Sequence, residues 1–208
     1  MQPKDSSIFA DVSDYFGIDN PAIAEKDYYV VQLLKLLASH YCQHHTMVFA
    51  GGTALAKADV KLQRMSEDVD IKLSVNDSAK DESRSAMKRH RKAIRDGLIE
   101  ELNATGVFQV ERAEVTCRDE HRYIEMPVRY PQAFSKAPCL RNAVHLSGAA
   151  LRFTGKRVFD IFTALGLDGL GRFSMNMTPM QPRNSANLRG VWAGDNAPAI
   201  TAIWFAMN

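Results

Sequence analysis

The sequence predicts an α+β fold, a mixed or antiparallel sheet with helices packed on it. Two observations carry this. Two long stretches, from Pro21 and from about Glu82, place apolar residues at helical spacing. Between and after them run short segments that alternate or are uniformly apolar, bounded by glycine, proline and polar turns. The 208 residues suffice for one domain with its own core. A formal net charge of +2 gives no overall pull towards nucleic acid, so any such pull must be local. No apolar run reaches the roughly 18 residues that span a bilayer, and no charged-then-apolar leader opens the chain. A soluble, cytoplasmic protein is expected. Cys42, Cys117 and Cys139 are odd in number and widely spaced, the pattern of reduced thiols rather than a disulfide frame.

Residues 1–20 read as a polar, loop-like arm in which Ile8, Phe9, Tyr15 and Phe16 can pack as a short helix. Asn20 is a cap and Pro21 suits a first helical position. Ala24, Tyr28, Val31, Leu34 and Ala38 then form one stripe of a helix expected to end near His44-His45. His40 and His44 fall one turn apart on it, either as a metal-binding pair or as side chains favoured at the negative helix end. Met47 to Ala50 reads as a short strand, Gly51-Gly52 as a tight turn, and Thr53 as the opening of a helix. A second strand carries Asp68 and Asp70. Strand side chains alternate, so Asp68, Asp70 and Lys72 share one face while Val69, Ile71 and Leu73 take the other. Glu67 faces away from the two aspartates, and Arg64 is a candidate ion-pair partner for it.

A further helix is expected over about Glu82 to Ala104, closed by Gly106. Arg84, Lys88, Arg91 and Arg95 follow helical spacing along it, with Arg89 and Lys92 beside them. These six cations could grip nucleic-acid phosphates or simply form a solvated face. Phe108–Cys117 and Arg122–Tyr130 read as antiparallel strands around an Asp119-Glu120 turn, and Ala143–Leu151 as another strand. Residues 1–140 hold 19 Lys+Arg and 21 Asp+Glu, whereas the remainder holds 7 and 3. The expected organisation is an arm (1–20), a core (21–151) and a C-terminal segment (152–208), partly helical and partly disordered. Phe153–Leu167 is the helical part, with Asp160 on its surface.

Two carboxylates side by side on a strand repel each other unless a cation such as Mg²⁺ lies between them. A glycine turn entering a helix offers unpaired N–H groups and a positive dipole end, which suit a phosphate. Asp68 and Asp70 are therefore candidate metal-binding and catalytic residues. Gly51, Gly52, Thr53 and Lys57 are the candidate phosphate seat. Together they make a minimal kit for moving a nucleotide. The residues GG-T-x-L-x-K from Gly51, followed by R-x-S-E-D-x-D from Arg64, with Glu25-Lys26-Asp27-Tyr28 upstream, resemble the AbiEii/AbiGii toxin family of nucleotidyltransferases of the DNA polymerase beta type.

That resemblance, over roughly Ala24 to Leu140, implies a minimal nucleotidyltransferase fold and a Mg²⁺-dependent transfer of an NMP from an NTP, GTP- or CTP-like. The acceptor would be RNA or protein, and the setting a toxin–antitoxin or abortive-infection system with a cognate antitoxin. It also implies a third carboxylate on a later strand. Ser147 stands at that position here, with Glu125 on the neighbouring strand as a possible substitute. This departure, and the fading of the resemblance in the tail, leave room for a catalytically inactive nucleotide-binding remnant. The tail itself reads either as a divergent or shortened end or as the product of a shifted reading frame.

Overall fold

A computed structural model describes residues 6–57, 67–134 and 140–154. Helices α1 (Ser7–Phe16) and α2 (Pro21–Ser39) precede strand β1 (His45–Ala50), helix α3 (Gly51–Lys57) and strand β2 (Val69–Val75). Helix α4 (Arg84–Ala104) and strands β3 (Thr116–Arg118), β4 (Tyr123–Val128) and β5 (Val144–Thr154) follow. The sheet runs β1-β2-β5-β4-β3 and is mixed. Strand β2 lies parallel to β5, and every other neighbouring pair is antiparallel.

Strand alternation sorts the sheet into two unlike faces. Val69, Ile71 and Leu73 of β2 are buried with Met47, Ile124, Met126 and Leu146 against Leu33 of α2 and Ile94, Leu98 and Leu102 of α4. Asp70 and Lys72 take the opposite face and are half-buried. Phe9 and Val12 of α1 join the same core, so the first helix is packed onto the body. A cavity of about 20 Å³ remains in it, lined in part by Ile71, Leu98, Ile124 and Gly148. A Cβ at Gly148 would find its nearest neighbour, Ile124 Cβ, at 3.8 Å, an ordinary contact. Gly148→Ala is therefore expected to stabilise the protein by about 0.5–1 kcal/mol in urea unfolding, because glycine in a strand loses more entropy and packs nothing.

Helix α2 begins as expected, with Asn20 Oδ1 accepting from the Ala22 N–H at 2.9 Å. It ends at Ser39, short of His44-His45. His40 is its extended C-cap, and its Nδ1 meets Glu101 Oε2 of α4 at 2.5 Å. Gly97 permits that approach, since a Cβ there would lie 3.3 Å from His40 Cε1. His40 and His44 therefore share no helix; His40 stands at the helix end, one of the two alternatives read from their spacing, and His44 lies beyond it. His45 turns into the core, where burial first and then the nearby Arg91 push its imidazole down to about 4. It is neutral.

The expected strand over Phe108–Cys117 is also broken. Asn103 takes both the N–H and the C=O of Val110 (2.9 and 3.1 Å), occupying groups that a ladder would need. A single bridge joins Gln109 to Arg129, a 3₁₀ turn follows at Arg112–Glu114, and only Thr116–Arg118 enters the sheet. Phe153 and Thr154 are strand residues of β5. The rest of the helix expected to Leu167, with Asp160, lies outside the described residues. Cys42 and Cys117 are free thiols, and burial pushes Cys42 up to about 11. Cys139 lies outside the described residues. No helix among the described residues is long and apolar enough to cross a membrane.

Candidate active site

Strand β1 delivers the chain to Gly51 directly beside β2, because Ala50 pairs with Asp70. Gly51 holds φ +77°, and a Cβ built on it would lie 2.0 Å from Asp70 Oδ2. A glycine is needed there on both counts: the left-handed conformation and the space. Helix α3 opens at Gly51, two residues before the expected Thr53. The hydroxyl of Thr53, itself buried, donates to the Asp68 carbonyl oxygen. The elbow helix thus abuts the side chain of one acid and fixes the backbone of the other.

The two acids are held differently. Asp70 lies within β2, and its Oδ1 accepts from Ser147 Oγ at 2.5 Å. Asp68 sits one residue before the strand begins, with its side chain 41% exposed, and accepts from Arg141 Nη1 at 3.0 Å. Ser147 is the register partner of Asp70 on β5, and Glu125 of β4 is in turn the register partner of Ser147. The three form a row across one face. Neighbouring strands lie about 4.8 Å apart, so Glu125 stands two strands from Asp70. Its carboxylate accepts from Tyr123 Oη at 3.1 Å and lies 3.6 Å from His145 Nδ1.

Three consecutive charges of α2, Glu25, Lys26 and Asp27, are all buried, and each ties down a different segment around this corner. Glu25 accepts from the N–H groups of Ala133 (2.7 Å) and Phe134 (3.3 Å). Lys26, fully buried, ion-pairs with Glu67 and donates to the Arg141 carbonyl at 3.0 Å. The partner of Glu67 is thus Lys26; Arg64 lies outside the described residues. Asp27 holds Lys57 Nζ at 3.1 Å in a pair buried on both sides. Burial pushes the Asp27 carboxyl up and the Lys57 ammonium down, and their mutual attraction opposes both. Lys57, expected at the phosphate seat, is thereby committed to anchoring α3 on α2. The signal for this trio was in the sequence. Three successive positions sweep about 200° of a helix, so an otherwise apolar helix cannot turn all three charges to water.

The basic run on α4 also has another task. Ile94 and Leu98 pack onto the apolar sheet face, across the sheet from Asp70. Arg84 Nε donates to Glu120 Oε2 (2.9 Å), Arg91 Nε to the Glu120 carbonyl (3.1 Å), and Arg95 Nη1 lies 3.4 Å from His121 Nδ1. Asp119, Glu120 and His121 carry φ of 46°, 55° and 61°, three successive left-handed residues in the β3–β4 turn. These arginines clamp that strained turn. Of the six cations expected on this helix, Arg91 is buried (4% exposed) and Arg95 half-buried, whereas Arg84, Lys88, Arg89 and Lys92 are exposed. Arg91→Ala is expected to cost about 2–3 kcal/mol by chemical denaturation, through a lost charged hydrogen bond and lost packing. Arg84→Ala, on an exposed pair, should cost under about 1 kcal/mol.

Two carboxylates two residues apart, with an elbow lacking a Cβ against one of them, offer the hard oxygen donors that Mg²⁺ accepts, and the donor set fits such a cation. Comparison with known proteins adds the following. The family model for the nucleotidyl transferase AbiEii toxin of type IV toxin–antitoxin systems matches residues 32–152. Among solved structures, MenT4, a nucleotidyltransferase toxin from Mycobacterium tuberculosis H37Rv, is similar at 21% identity and a TM-score of 0.40. The similarity covers 68% of this chain and 43% of that one. This chain therefore spans less than half the length of that protein. No curated protein matches the sequence.

Proposed function

Because the chain belongs to the AbiEii family of nucleotidyltransferase toxins of type IV toxin–antitoxin systems, we propose that it is a Mg²⁺-dependent nucleotidyltransferase. It moves an NMP from an NTP, GTP- or CTP-like, onto an RNA or protein acceptor in the cytoplasm, restrained by a cognate antitoxin. The observation that carries this reading is the contact between the Gly51 elbow and Asp70. Asp68 and Asp70 would hold the divalent ion. When bound, that ion supplies neutralisation of charge on the transferred phosphorus and the leaving pyrophosphate.

The chain's own residues do the positioning. Ser147 orients the Asp70 carboxylate by its hydrogen bond, and Thr53 fixes the backbone at Asp68. Arg141 balances the charge of Asp68 before substrate arrives. Gly51 and Gly52 would seat the donor phosphates beside the acids, on the N–H groups at the start of α3. Lys57 supports the elbow from behind through Asp27. For an RNA acceptor, the α4 cations are a weak guide, since that helix packs on the other side of the sheet.

The test is incubation with each labelled NTP, Mg²⁺ and total RNA or protein, following label transfer and pyrophosphate release. Release with one NTP and label on one acceptor class is the expected result. A second reading, an inactive nucleotide-binding module, is favoured by one observation: Ser147 occupies the strand position beside Asp70. NTP binding in calorimetry without pyrophosphate release would establish it. In that case Ser147→Glu is expected to restore measurable release.

A further inference from the structure

We propose a second metal site, chemically unlike the first, formed by His44, Glu82 and His90 and suited to Zn²⁺ or a similar borderline divalent cation. The three residues come from separate segments: the entry to β1, the turn before α4, and the second turn of α4. Each offers one ligand atom, and the three atoms all lie within 4.8 Å of one another. His90 Nε2 lies 2.6 Å from Glu82 Oε2, and His44 Nδ1 lies 3.4 Å from Glu82 Oε1. Zinc bonds to nitrogen and oxygen of about 2.0–2.2 Å set neighbouring tetrahedral ligands about 3.4 Å apart. The His44–Glu82 spacing already matches this, while the His90–Glu82 contact has to open to admit the ion. The two imidazoles stack with centroids 3.8 Å apart and 29° between planes; an ion lies in the plane of each ring it binds, so ligation turns the rings out of this stack.

The carriers of these side chains are fixed before any ion arrives. Asn76 brackets His44 with three hydrogen bonds: its backbone N–H to the His44 carbonyl (3.0 Å), its Nδ2 to the Gln43 carbonyl (3.2 Å), and its Oδ1 from the Thr46 hydroxyl (2.7 Å). The Glu82 N–H bonds the Ala79 carbonyl at 3.2 Å, and His90 rides on a capped helix. All three side chains are half-buried, between 23% and 31% exposed, so an ion can enter from solvent. Two nitrogens and one oxygen favour Zn²⁺, Co²⁺ or Ni²⁺ over Mg²⁺, which prefers oxygen throughout. Three protein ligands leave a position for water. The six residues of β1 separate this site from the Gly51 elbow, by about 3.3 Å each. Its task is thus to tie the entry of β1 to α4, away from the transfer site.

The test uses the full chain, stripped of metal and titrated with ZnCl₂ in the presence of millimolar Mg²⁺. One equivalent should bind, and Co²⁺ in its place should give the visible absorption of a low-symmetry site. At a hundredfold excess over Kd, Zn²⁺ should raise Tm by about 5–10 °C. His90→Gln keeps a donor for Glu82 but removes the imidazole. It and His44→Gln should each weaken binding at least about tenfold while metal-free CD spectra stay unchanged. Asp70→Asn should leave Zn²⁺ binding intact, which separates this site from the proposed transfer site. Absence of binding and of the Co²⁺ spectrum overturns the proposal. So does equal binding by the wild type and both histidine variants, which would locate the ion elsewhere.

Discussion

Asp70→Asn is expected to reduce NMP transfer by at least about 10³-fold, the scale on which a lost charge-stabilising group acts in such sites. The substitution is nearly isosteric. Asparagine Oδ1 can still accept from Ser147 Oγ, now 2.5 Å from Asp70 Oδ1, so the register of β2 against β5 should survive. What is lost is one negative charge at the proposed divalent-ion site and one hard oxygen donor. Pyrophosphate release measures the first effect, and thermal unfolding should move by less than about 3 °C. A mutant with the wild-type rate and intact folding would remove Asp70 from the chemistry. The family kinship would stand, but the site would have to be sought elsewhere.

Gly51→Ala is expected to impair both activity and stability, and for separable reasons. A residue with a Cβ at φ +77° pays about 1–2 kcal/mol for the left-handed conformation. The same φ penalty applies at Gly106, where nothing lies within 4 Å of the added Cβ. Gly106→Ala is thus the control for backbone strain alone. At Gly51 the new atom also collides with Asp70 Oδ2 at 2.0 Å, so either the carboxylate leaves Ser147 or the elbow withdraws. Transfer should fall by about 10²-fold or more, since misplacement of about 1 Å has that cost. Stability should fall further than in the control. Equal stability losses in the two alanine variants, with transfer retained in Gly51→Ala, would mean that the elbow does not touch the working geometry of Asp70.

Local signals in the chain were strong where the physics is local. The Asn20-Pro21 start of α2, the period of α4, and the order strand, glycine elbow, helix, acidic strand all follow from capping, period and turn chemistry within a few residues. They were readable. Boundaries that depend on distant partners were not. The end of α2 at Ser39 is set by His40 reaching Glu101, 61 residues on. The broken strand after Phe108 is a nearer case, set by a side chain, Asn103, that takes the backbone groups of Val110 seven residues on. The basic run on α4 left two readings open because the sequence does not say that a left-handed turn at Asp119–His121 will take up Arg84, Arg91 and Arg95.

By itself the sequence determined which groups stand at the proposed site: carboxylates at Asp68 and Asp70, and a backbone with no Cβ at the elbow. Those depend on side-chain identity and on spacing of one to a few residues. Only the tertiary structure decided which charges remain for that site. It buried Lys57 on Asp27 and Lys26 on Glu67, set Ser147 against Asp70, and gathered His44, Glu82 and His90. The physical reason is that a charge leaving water takes the nearest available partner. Nearness across tens of residues is fixed by the β1-β2-β5-β4-β3 order, with β5 lying parallel beside β2.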